Sequence, residues 1–114
     1  MGHPIEFSPK VRSLIYSRTR GHCEKCGQWM SESQMCVHHR KLKSQGGRGN
    51  IENGLGIHHQ CHNLATDSVH SNPWLAYIKG WMVQGWNDEK TQWLVLPSGE
   101  SAILTSQGTY ILTG

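Results

Sequence analysis

Long apolar runs are missing from this chain. No segment approaches the roughly 20 apolar residues that a membrane helix needs, and the opening MGHPIEFSPK has no apolar stretch of leader-peptide length. The expectation is a cytoplasmic protein with no membrane partner. Apolar residues are scarce overall: hydrophobic content is 36%, while Gly is abundant at 13 residues. Internal repeats and low-complexity tracts are also lacking. At 114 residues the chain has the size of a single domain, 1–114, and its modest core would gain from an added staple.

Charge is present but uneven. The formal net charge is +3. Residues 9–48 carry nine of the 11 Lys and Arg against two acids, Glu24 and Glu32. The rest of the chain carries Lys79 and Lys90 against six acids. A basic half on a small protein points to a polyanion, nucleic acid first, with a solvated basic face as the alternative. In a cytoplasmic chain, four cysteines are metal ligands or free thiols rather than disulfides.

Local signals give an α+β organisation. Ser8-Pro9 reads as a helix start, Val11, Leu14, Ile15 and Arg18 follow at helical spacing, and Gly21 closes a helix near 9–20. Cys23 to Gly27 is a tight turn. Residues 34–40 and 54–58 read as short strands separated by a basic, glycine-rich loop from Lys41 to Asn50. A helix is expected from about Gln60 to Ser68. Pro73 opens a second, 73–84, with Leu75, Ile78, Trp81 and Met82 as apolar positions. The runs 92–96, 101–105 and 109–112, broken by Pro97-Ser98-Gly99 and Gln107-Gly108, read as an antiparallel hairpin or three-stranded sheet. The division expected is a core at 8–70 with its N-terminal helix, and a helix-plus-hairpin appendage at 71–114.

Cys23-x2-Cys26 is half of a four-ligand metal knuckle, and His58-x2-Cys61 offers the other half. Thiolates with an imidazole in a tetrahedral set suit a structural Zn²⁺, which would add folding free energy. His59 could replace His58, and Cys36 is a fourth thiol in reach or a small buried hydrophobe. Between the knuckle halves lie His38, His39 and Asn53, and His62 follows Cys61 directly. Phosphodiester hydrolysis has a use for each. A neutral imidazole activates water. A second, open metal site stabilises the phosphate and the leaving 3′ oxygen. A carbonyl or amide partner orients the base, and Asn53 can fix the loop that presents it.

The stretch from Cys23 to Asn63 resembles the core of the HNH endonucleases: C-x2-C, V-H-H-R, G-G, I-E-N-x-L and H-x2-C-H in order. It is most similar to the short HNH proteins encoded by bacteriophages, and residues 69–86 extend that likeness more weakly. The resemblance implies a zinc-stapled ββα-metal fold and metal-dependent DNA cleavage by a one-metal mechanism. It implies His38 and His62 as ligands of a catalytic divalent ion such as Mg²⁺ or Mn²⁺, His39 as general base, and Asn53 as the motif asparagine. It also implies a phage setting inside a host cell, with a terminase or another protein as a possible partner. Two positions depart from the family pattern. His58 stands where a third cysteine is usual, and Thr66, followed by Asp67 and more distantly by His70, stands where some members carry a further metal-binding histidine.

The phosphate contacts expected on DNA are Arg18, Arg20, Arg40, Lys41, Lys43 and Arg48, with Arg40 beside the scissile phosphate. Nothing resembles a recognition helix, so low sequence specificity and a steep salt dependence are expected. The spacing of Trp74, Ile78 and Trp81 predicts that the five tryptophans pack in the core rather than stack on bases. The rival reading is a zinc-ribbon nucleic-acid-binding module without catalysis, which would have no use for His38, His39, Asn53 and His62 together.

Overall fold

The structure, a computed structural model, describes residues 4–64 and 72–112. Helix α1 spans Pro9–Thr19. Ser8 caps it by accepting a hydrogen bond from the Val11 amide at 3.2 Å, and Pro9 supplies the first-turn φ at no cost in hydrogen bonds. It ends where Arg20 takes the left-handed conformation, one residue ahead of the expected glycine.

Strands β1 (Met35–His39) and β2 (Gly54–His58) form a two-stranded antiparallel ribbon. Their register sets His38 opposite Leu55, His39 opposite Gly54, and Met35 opposite His58. One register therefore presents the His38-His39 pair at one end of the ribbon and the knuckle residue His58 at the other. A single π-type turn, Gln60–Leu64, follows β2. The rest of the helix expected to Ser68 lies outside the described residues, as do Thr66, Asp67 and His70.

Helix α2 spans Pro73–Lys79, shorter than the expected 73–84. Gly80 ends it at φ +78°, and a Cβ there would collide with the Trp93 carbonyl. The apolar periodicity runs on past Gly80 because Trp81 and Met82 are buried in a turn rather than on a helix. Ile78 faces outward, against expectation. The tail forms a three-stranded antiparallel sheet in sequential order, β3 (Leu94–Val95), β4 (Ser101–Leu104) and β5 (Tyr110–Leu112).

The core is continuous across the molecule. Ile15 of α1, Met35, Leu55 and Ile57 of the ribbon, Ala76 of α2, Trp81, Met82, and Leu94 and Leu104 of the tail sheet belong to one buried cluster. Burial of the tryptophans differs from expectation. Trp81 is buried, but Trp29, Trp74, Trp86 and Trp93 are exposed, Trp74 at 74%. No helix among the described residues is long and apolar enough to cross a membrane.

Candidate functional site

The knuckle turn is built by backbone bonds that close on themselves. The Cys23 amide donates to Gln28 O at 2.9 Å and the Gly27 amide to Cys23 O at 2.8 Å. Glu24, between the two cysteines, fastens this turn to the ribbon. Its amide donates to Gly56 O and its carboxylate accepts from the Gly56 amide, at 2.9 and 2.8 Å. The same buried carboxylate takes Arg18 through two bonds of 2.6 and 2.8 Å and the Tyr110 hydroxyl from β5.

That seating brings Cys23, Cys26, His58 and Cys61 together. Their ligand atoms lie within 4.8 Å of one another, with His58 Nε2 at 3.0 Å from Cys26 Sγ and 3.2 Å from Cys61 Sγ. Tetrahedral zinc with Zn–S near 2.3 Å spaces its donors by roughly 3.6–3.8 Å, so a small contraction or expansion of these distances fits the ion. The thiols also show what a cation would relieve. A hydrogen bond from Cys61 holds the Cys23 thiol down to about 5, and the same bond drives Cys61 upward. Burial raises Cys26. Three thiolates in this space need a positive charge between them. The four side chains could hold a metal ion, and three sulfurs with one imidazole favour zinc. The rival ligands stand apart from this set: Cys36 Sγ and His59 Nδ1 face each other at 3.7 Å.

A separate open cleft is lined by Glu6, Phe7, Val37, His38, His39, Leu42, Lys43 and His62. His38 is buried, and its ring centroid lies 5.2 Å from that of His62, the planes tilted by 59°. His39 is half-buried beside them. Its Nε2 meets the carbonyl of Ile5 at 2.7 Å, and its ring packs on Phe7 at 4.4 Å. Among the described residues, the one group of three or more metal-ligating side chains is the Cys3His set, so His38 and His62 form a two-donor pair.

Asn53 does not reach the cleft. It is fully buried and clamps the Lys41–Asn50 loop onto the ribbon. Its Oδ1 accepts from the Lys41 amide at 2.8 Å, and its Nδ2 donates to Lys41 O at 3.1 Å and Arg48 O at 2.8 Å. It is a positioning residue rather than a catalytic one.

The basic residues divide. Arg40 cannot contact phosphate, because its guanidinium is 0% exposed and donates to the carbonyls of Gly80, Glu52, Glu89 and Gln92. Burial pulls its pKa down to about 10. Arg18 is likewise buried, against Glu24 and the carbonyls of Ile51 and Gly54. Both were expected on the DNA face, and both are instead internal ties. Lys41 is half-buried and paired with Glu89 at 3.6 Å. Lys43, Arg48 and Arg20 are exposed, and Lys43 sits on the cleft wall with Glu6 at 2.6 Å.

Sequence reasoning missed Ile5, Glu6 and Phe7, which carry no motif and reach His39 only through the fold. It also missed Glu24, whose place between two knuckle cysteines was its only local signal. Comparison with protein-family models, with curated proteins and with solved structures found no match for this chain.

Proposed function

We propose that this chain is a metal-dependent DNA endonuclease or nickase of the HNH type, with a zinc-stapled ββα-metal core. The observation that carries the reading is the convergence of three imidazoles, His38, His39 and His62, on one open cleft with the Lys43 ammonium on its wall. Packing alone gives no reason to bring three histidines to one solvent-accessible cleft.

In this reading the zinc set is structural and the cleft is chemical. His38 and His62 would hold a divalent ion such as Mg²⁺ or Mn²⁺, which when bound would supply positive charge to the phosphate and to the leaving 3′ oxygen. His39 takes a proton from the attacking water as its oxygen bonds to phosphorus and the P–O3′ bond breaks. Lys43 gives up Glu6 to hold a phosphate oxygen of the incoming strand. Asn53 keeps the loop bearing Lys43 and Arg48 in register with the ribbon bearing His39. Only exposed side chains touch DNA, and none lies on a recognition helix, so binding is weakly sequence-specific and salt-dependent.

The test is incubation of the zinc-loaded chain with supercoiled plasmid across a panel of divalent ions. Nicked or linear product, stopped by EDTA, is the expected result. Binding without cleavage under every ion would instead leave the chain a zinc-ribbon binding module.

A further inference from the structure

Residues 4–7 carry no motif, yet they border the cleft and touch the proposed base. Four contacts seat them. The Pro4 carbonyl accepts from the Gly49 amide at 2.7 Å. The Ile5 carbonyl meets His39 Nε2 at 2.7 Å. The Glu6 carboxylate accepts from Lys43 at 2.6 Å. The Phe7 ring lies 4.4 Å from the His39 ring at a 40° tilt. Gly49 is required for this seat, since a Cβ there would collide with the Glu6 carbonyl.

A carbonyl oxygen only accepts, so the proton in the Ile5–His39 bond sits on Nε2. In the neutral ring the lone pair is then on Nδ1, the nitrogen left to accept a proton. We infer that residues 4–7 are a positioning strap for His39, with the Ile5 carbonyl holding its proton and Phe7 holding its ring plane. Gly49 couples the strap to the loop that carries Lys43. Water activation needs the accepting nitrogen aimed to within a fraction of an ångström, and a half-buried histidine at a strand end lacks that restraint by itself. The strap's effect on rate rests on the reading of His39 as general base; its effect on the imidazole does not.

Two readouts on the full zinc-loaded chain test this. The first is NMR of the His39 Nε2–H proton, assigned by its loss in His39→Ala. The second is steady-state DNA cleavage. Gly49→Ala displaces the strap from its seat, and Phe7→Ala removes the ring contact. An ester between Ile5 and Glu6, introduced by ligating a synthetic 1–22 segment to the chain from Cys23, weakens the Ile5 carbonyl as an acceptor and removes the Glu6 N–H, leaving every side chain in place. In Gly49→Ala and the ester, exchange of that proton with water should rise by about tenfold, the worth of one hydrogen bond, and in Phe7→Ala, which removes only the ring contact, by a few-fold. In each, kcat should fall by about tenfold or more; in Phe7→Ala and the ester, which leave the Glu6–Lys43 pair in place, KM should stay within about twofold.

Unchanged proton exchange in all three variants overturns the strap. So does faster exchange with unchanged kcat. If the wild-type chain cuts no DNA, the nuclease reading fails separately, and the imidazole proton alone decides whether the strap holds His39.

Discussion

Replacing Arg40 separates an internal tie from a DNA contact. Its guanidinium makes four hydrogen bonds, to Gly80 O at 2.9 Å, Glu52 O at 3.0 Å, Glu89 O at 3.2 Å and Gln92 O at 2.9 Å. Charged hydrogen bonds contribute about 1.5–3 kcal/mol each, so the gross sum is large. Desolvation of the buried cation takes back several kcal/mol. The net cost of Arg40→Met is about 4 kcal/mol, most of it from four carbonyls left facing an apolar side chain. In a domain of this size that lowers Tm by about 15 °C or more. Arg40→Lys keeps the charge but loses the planar fork, and should cost roughly half as much. The assay is guanidinium unfolding of zinc-loaded protein beside a salt titration of DNA binding. A surface arginine on phosphate would behave in the opposite way, with stability changed by less than about 0.5 kcal/mol and the salt slope reduced by about one. An unchanged unfolding midpoint with a reduced salt slope would refute the internal role.

Three further outcomes follow from other parts of the molecule. Natively purified protein should hold about one zinc per chain, and Cys23→Ser should lose both zinc and cooperative unfolding, read by metal analysis and circular dichroism. Burial, then the Glu24 carboxylate, raises the Tyr110 pKa above its ordinary value of 10.0. Its contribution to stability is therefore complete below pH 10 and is lost as pH climbs from there toward the folded value, because the unfolded chain releases the proton first. Tyr110→Phe should cost about 2 kcal/mol at neutral pH and flatten the fall in unfolding midpoint above pH 10. Glu6→Gln should free Lys43 from its partner and tighten DNA binding by a few-fold at low salt, with the gain fading as salt rises.

Much of the scaffold was legible because it depends on local chemistry. Ser8-Pro9 starts a helix wherever its apolar face finds cover, and two x2 pairs of soft ligands join only around a shared site. The strands at 34–40 and 54–58 appeared within a residue or so at each end, since short β segments between turn residues leave few alternatives. What stayed hidden depends on tertiary partners. An arginine fork suits a phosphate and a ring of backbone carbonyls equally well, so Arg18 and Arg40 read as DNA contacts until the loops that surround them were in place. Trp74 and Ile78 keep helical spacing with Trp81, but Gly80 breaks the helix and turns the two segments in different directions. Residues 4–7 meet Gly49 and His39 through the backbone carbonyls of Pro4 and Ile5, which no side-chain pattern encodes.

The central claim is that His39 is the base of a DNA-cutting site distinct from the zinc staple. The most direct measurement compares plasmid cleavage by wild-type and His39→Ala protein of equal zinc content, under the divalent ion that supports the wild-type reaction. Cleavage should fall by about 10²-fold or more while zinc content and unfolding midpoint stay unchanged. A His39→Ala protein that cuts at the wild-type rate would contradict the account.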